Sequence, residues 1–318
     1  MPSVPTPPRN RWLRRILPLG LVLLAFLLWN GWAERYPQRE RQLRVDVQEQ
    51  LEERFPEAMQ PPADRYGVFP RTADADHGRP LRVLLVHGLD EPGSIWDDLV
   101  PALGAAGYDA WEFRYPNDQA IDRSADLLGD SWPELPADLP FVLVGHSMGG
   151  LVIRDFVSRW RHPVEGPARA EGASVTGVIL VGTPNQGSEW SRLRVLLEPR
   201  DQWAASRETG FSPLAGLQDG TGAAKIDLQP GSSFLADLNA RPWPEAVQLR
   251  TVGGLLMPAA PVLGDGVVAV DSLTFPGAPP PILVAASHRG LLVRLFESED
   301  EPPAIPVVMD LLAELGGE

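Results

Sequence analysis

Residues 143–150 read Leu-Val-Gly-His-Ser-Met-Gly-Gly, an apolar run that stops at a serine set among glycines. Working outward, Phe141 to Val144 is a short β-type run, and Leu151 to Val157 resumes at once as an amphipathic helix. The pentapeptide Gly-x-Ser-x-Gly is weak by itself in a glycine-rich chain; strand, turn and helix around it make the context specific. So sharp a turn forces its apex residue into a strained backbone region. Gly145 and Gly149, lacking Cβ atoms, let strand and helix close around that apex. The Ser147 hydroxyl is thereby held out at the carboxyl end of a strand, where parallel sheets place their ligands.

The chain has 318 residues, 44% of them hydrophobic, enough for one large α/β domain or two small ones. Its net charge is −14. Arg9, Arg11, Arg14 and Arg15 are the only charged residues of the first fifteen and carry +4, so the remainder carries −18, which argues against nucleic acid as a partner. Cysteine is absent, so there is neither a disulfide framework nor a thiolate metal site, a composition compatible with either side of a bacterial inner membrane.

After the basic tail, Ile16 to Ala33 is a run of roughly 18 residues without a charge, about the length that spans a hydrocarbon core, with Trp12, Trp29 and Trp32 near its ends. Residues 1–36 are therefore expected to be a tail and a single-pass signal-anchor helix, holding the rest of the chain on the periplasmic side of the inner membrane. A cleaved signal peptide with its site at Gly31-Trp32-Ala33 is the competing reading, although the run is longer than such peptides use. Residues 37–80 read as a juxtamembrane helix and linker. Leu43, Val47, Leu51 and Phe55 recur every four residues in a charged stretch, the stripe of either a stalk or a docked helix, and Pro56 to Pro80 is rich in Pro, Asp and Gly.

From Leu81 onward short β runs alternate with helical stretches. Strands are expected at 81–86, 108–115, 141–145, 175–182, 246–254 and 281–286, and helices at 95–106, 118–130, 147–160, 290–297 and 305–315. That alternation predicts an α/β chain with a doubly wound, mostly parallel sheet over 81–318. The interval 187–246 is too long for an ordinary connection and reads as a cap or lid insertion. Its apolar residues Trp190, Leu193, Leu196 and Leu197 are candidates to line an acyl pocket; a helix simply packed on the sheet is the alternative.

Four blocks together resemble the α/β-hydrolase superfamily, in its bacterial lipase and esterase branch: LLVHGLDEPGSIW (84–96), LVGHSMGGLVIRDF (143–156), VGTPNQGS (181–188), and GDGVVAVDSL (264–273) followed by ASHRGLL (286–292). The resemblance implies a triad in the chain order Ser, then Asp or Glu, then His. The chemistry asks for the same parts. A serine hydroxyl needs a positioned base with a near-neutral pKa, which histidine supplies. Of five histidines, His288 follows the last strand in the loop before a helix, where this fold delivers its base. His146 adjoins the serine and is read as packing the turn, His87 as a structural part of the first loop, and His77 and His162 as loop residues. The imidazole needs an acceptor on its far nitrogen, and Asp265, in the Asp-Gly-Val-Val signature of similar lipases, is the candidate, with Asp271 as runner-up. Asp155 reads as structural. The N–H groups of Leu89 and Met148 are expected to hold the oxyanion.

These parts imply an ester or lipid substrate cleaved through an acyl-enzyme, with no metal or organic cofactor. Acyl transfer or thioester cleavage by the same triad is one alternative. A hydrolase fold without activity, serving as a binding module, is another.

Overall fold

The computed structural model describes residues 11–60, 62, 64–72, 78–89, 93–190, 218–295 and 300–317, with side chains from Gly20 onward. All six expected strands form, each within two residues of its expected bounds: β2 (Arg82–Val86), β3 (Asp109–Arg114), β4 (Phe141–His146), β5 (Val175–Val181), β6 (Gln248–Gly254) and β7 (Ile282–Val284). A further strand, β1 (Gly67–Pro70), precedes them. The sheet order is β1-β3-β2-β4-β5-β6-β7, and every pairing is parallel except β1 with β3. β1 lies inside the stretch read as linker. Four residues give no legible alternation; pairing with β3 and burial of Val68 make it a strand.

Alternation along the central strands divides two cores. Leu84, Val86 and Leu143 face one side, where they pack with α5 (Ile121–Ser131) and α6 (Met148–Phe156). Val83, Leu85, Val142 and Val144 face the other, against α4 (Leu99–Ala105) and α9 (Ala304–Gly316). Strands buried on both faces read as continuous apolar runs, as these do. Of the helix expected at 290–297, residues 290–295 are described and carry only a 3-10 turn, Arg289–Leu291. Beyond it the Arg294 N–H bonds the Asp98 carboxylate at 2.8 Å rather than a helical carbonyl.

The N-terminal segment forms α1 (Arg11–Arg35), α2 (Pro37–Arg54) and α3 (Pro56–Met59). Among the described residues no helix is long and apolar enough to cross a membrane, so the expected span finds no support here. Leu21 to Leu24 and Phe26 to Leu28 are all exposed.

The open question of stalk or docked helix resolves toward docking, by an unexpected face. α2 lies on α7 (Ala223–Asp227) and buries Glu40 and Gln48, while Leu43, Val47 and Phe55 of the apolar stripe face solvent. The Arg41 Nε donates to Asp227 Oδ1 at 2.5 Å, and its Nη2 lies 2.8 Å from Asp122. Arg44 donates to the Thr221 carbonyl, and the Thr221 hydroxyl donates back to the Arg44 carbonyl at 2.7 Å. Just beyond α3, Arg65 donates to Gln218 and the Tyr66 hydroxyl donates to Asp219, both at 3.0 Å. The arm therefore grips the described C-terminal root of the insertion through polar groups.

In that root, α7 and α8 (Ser233–Ala240) pack on the body, with Ala224, Leu228, Phe234 and Leu238 in the core beside α5 and α6. Ser232 caps α8 by accepting from the Leu235 N–H at 3.2 Å. This part follows the packed-helix alternative. Leu193, Leu196 and Leu197 lie outside the described residues.

Candidate active site

Ser147 ends the turn between β4 and α6 with φ 53° and ψ −125°, the only non-glycine residue at positive φ among those described. A conformation of that kind costs on the order of 1–3 kcal/mol and persists only where the surroundings impose it. They do so here through backbone-to-backbone approach. A Cβ on Gly149 would stand 2.1 Å from the Val86 carbonyl oxygen, and one on Gly145 would stand 2.7 Å from the Gly150 Cα. The Ser147 N–H is tied to the Val181 carbonyl at 2.9 Å, joining the apex to β5.

The structure brings three of the sequence-derived residues together. His288 Nε2 lies 2.9 Å from the Ser147 Oγ, and its Nδ1 lies 2.7 Å from Asp265 Oδ2. Asp265 is buried, and its other oxygen accepts from the N–H groups of Val267 at 2.9 Å and Val268 at 2.8 Å. The Asp-Gly-Val-Val turn thus clamps its own carboxylate. The Asp265 carbonyl also accepts the His288 N–H at 2.9 Å, so the two residues are pinned through main chain and side chain alike. Asp271, the runner-up, is exposed in a separate 3-10 turn, Val270–Leu273, on which no contact with His288 is found among the described residues. Asp155 pairs with Arg159 at 2.5 Å and with Arg241, as a structural anion.

The first loop closes over the turn. A Cβ on Gly88 would stand 2.8 Å from the Ser147 Cβ, so only glycine lets this loop approach. Leu89 follows it and is buried, and Met148 opens α6, where helix geometry leaves its N–H without an intrahelical partner. His87 is held away from the serine. Its ring stacks on Tyr115 with centroids 4.5 Å apart, and its carbonyl accepts the Tyr115 hydroxyl at 2.6 Å. Burial pushes the Tyr115 phenol well above its ordinary range, which keeps that donor protonated. His162 lies on the far side of α6, beyond its π-helical end, and burial followed by the charge of Arg161 pulls its pKa down. His77 lies outside the described residues.

His146 does more than the sequence suggested. It is fully buried, its ring lies 4.8 Å from that of His288, and its Nε2 is 3.2 Å from the His288 carbonyl. Sequence adjacency to the serine hid this contact with a residue 142 positions away. Trp190 is half exposed at the edge of the described insertion, and it does not line two cavities of about 680 and 660 Å³ that border α2. Among the described residues no group of three His, Asp or Glu side chains could hold a metal ion.

No family model matches the chain, and no curated protein matches it in sequence. Solved structures do. The mature Bacillus licheniformis lipase BlEst2 superposes with a TM-score of 0.53 at 19% identity, over 77% of this chain and 97% of that one. The metagenomic carboxyl esterase MGS0156 gives 0.57 at 20%, over 74% and 76%. The type II thioesterase YbtT from a yersiniabactin pathway gives 0.50 at 15%, over 79% and 98%. At such identities the likeness is one of fold: the chain has the α/β-hydrolase fold.

Proposed function

We propose that this chain is a serine esterase that cleaves carboxylic esters of acyl-chain or lipid type. The observation that carries the proposal is the unbroken hydrogen-bonded line from the strained Ser147 through His288 to the clamped carboxylate of Asp265. Ser147 Oγ attacks the ester carbonyl as its proton passes to His288 Nε2, and Asp265 orients the ring and stabilises the imidazolium. The N–H groups of Leu89 and Met148 receive the oxyanion, each such donor contributing about 3 kcal/mol to the transition state. The imidazolium then gives its proton to the departing alcohol. Water, deprotonated by the same Nε2, attacks the acyl-enzyme, and collapse returns the carboxylic acid and the free serine.

The uncharged run from Ile16 to Ala33, with the exposed apolar residues of α1, supports attachment to a membrane, and we place the catalytic part on the periplasmic side of a bacterial inner membrane. Trp190 and the neighbouring Leu193, Leu196 and Leu197 are offered as an acyl-binding wall. A panel of p-nitrophenyl esters from acetate to octanoate, with the matching acyl thioesters, tests the proposal. Turnover of oxyesters that rises with chain length and vanishes in Ser147→Ala supports it. Selective cleavage of thioesters would reassign the same triad to thioesterase work, and no turnover of either class would reject the enzymatic reading.

A further inference from the structure

We infer that His146 is a positioning residue for His288, pinning the base to the nucleophile turn through a bond that takes no part in the chemistry; the inference rests on the triad reading above. A carbonyl can only accept, so the 3.2 Å contact requires the hydrogen to sit on His146 Nε2 and to be donated to the His288 oxygen. His146 is the last residue of β4 and covalent neighbour to Ser147, so its ring is carried by the same rigid strand end as the nucleophile. Three components of the site converge on it. Its ring borders the ring of His288 with centroids 4.8 Å apart, its Nδ1 would stand 3.5 Å from a Cβ on Gly88 of the first loop, and its own backbone leads into the turn.

The other ties on His288 come from the acid: its N–H and Nδ1 both reach Asp265. Between base and nucleophile the free enzyme has the Ser147–His288 hydrogen bond, but an acylated Ser147 has no proton to give. At that stage the His146 bond still joins the two, because neither of its atoms reacts. It therefore matters most when His288 must activate water, and a displacement of the base by about 1 Å can cost about a hundredfold in rate.

The experiment compares His146→Met, which fills the space without a donor, with His146→Gln, which restores an N–H at similar reach. Steady-state and burst kinetics on p-nitrophenyl butyrate are read alongside Tm. The inference predicts that His146→Met lowers kcat roughly tenfold to a hundredfold, lowers kcat/KM less, and enlarges the burst, while His146→Gln stays within about threefold of the unsubstituted enzyme. Equal kcat in the two variants, or a loss in kcat/KM as large as that in kcat, overturns it. If His146→Met does not fold, the ring tautomer in ¹⁵N-histidine-labelled unsubstituted protein decides. A solvent-protected Nε2–H on His146 supports the bond, and an Nδ1–H tautomer overturns it. An unsubstituted protein that cleaves no ester would reject the esterase reading, whereas the tautomer would still report whether His146 holds His288.

Discussion

The helix that follows Ser147 and the N-terminal arm are both laid on the same body, and opposite chemistry holds them. In α6 every residue from Met148 to Phe156 is buried, and glycines bring its backbone against β2 and β4. In α2 the buried residues are Glu40 and Gln48, with Arg41 and Arg44 reaching into the body, while Leu43 and Val47, and Phe55 just beyond the helix, are left outside. Burying charge is costly unless every group finds a partner, so the arm is held by a few specific pairs rather than by area. A close-packed turn can fix reacting atoms to a fraction of an ångström, as acyl transfer requires. A set of ion pairs can hold a helix in place but also makes the joint sensitive to pH.

The largest expected effect lies in the turn. Ser147→Ala, His288→Ala and Asp265→Asn should each lower kcat by about 10⁴-fold or more, with unchanged circular dichroism, and double variants should be little worse than singles because the residues act as a unit. Retention of activity in Asp265→Asn would remove the acid from this site.

The next effect lies in the arm. Asp227 is fully buried, and burial pushes its carboxyl up to about 6 against the lowering influence of Arg41 and the Ile121 N–H. Burial alone would lower Arg41, but its hydrogen bonds and the charges of Asp227 and Asp122 outweigh that and raise it. A carboxyl raised above its ordinary 3.8 stabilises the folded chain most below that value and loses the contribution as pH rises through about 6. Arg41→Met should therefore cost about 3–5 kcal/mol at pH 8, where it strands a buried anion, and markedly less at pH 5, where Asp227 takes a proton. Thermal unfolding at the two pH values checks this, and an equal loss at both would contradict it.

The smallest expected effects fall on the stripe. Leu43→Gln and Val47→Gln should change stability by no more than about 0.5 kcal/mol in urea unfolding, since both side chains already face solvent. Ile153→Ala on α6 should cost about 2–5 kcal/mol in the same measurement. Losses of equal size at the two sites would erase the contrast.

The same contrast explains what the sequence disclosed. Strands buried on both faces announce themselves as apolar runs, and the turn at Ser147 is a local feature whose glycines stand within four residues of it. Asp265 and His288 were legible because their motifs are compact and their order along the chain is fixed by the resemblance. The partnership of Arg41 with Asp227 spans 186 positions, and nothing in either neighbourhood distinguishes these charges from solvated ones. Periodicity could not decide between stalk and docked helix at α2, because its contacts with the body run through polar residues while Leu43, Val47 and Phe55 of the stripe face solvent. β1 was too short for any pattern, and the contact of His146 with His288 was hidden by its adjacency to the serine.

Whether Ser147 is an activated nucleophile is decided by reaction with a fluorophosphonate probe, followed by mass spectrometry of the labelled peptide. Stoichiometric modification is expected at Ser147, lost in Ser147→Ala and strongly slowed in His288→Ala. Failure of the folded, unsubstituted protein to take up the probe, or modification at another serine, would contradict that role for Ser147.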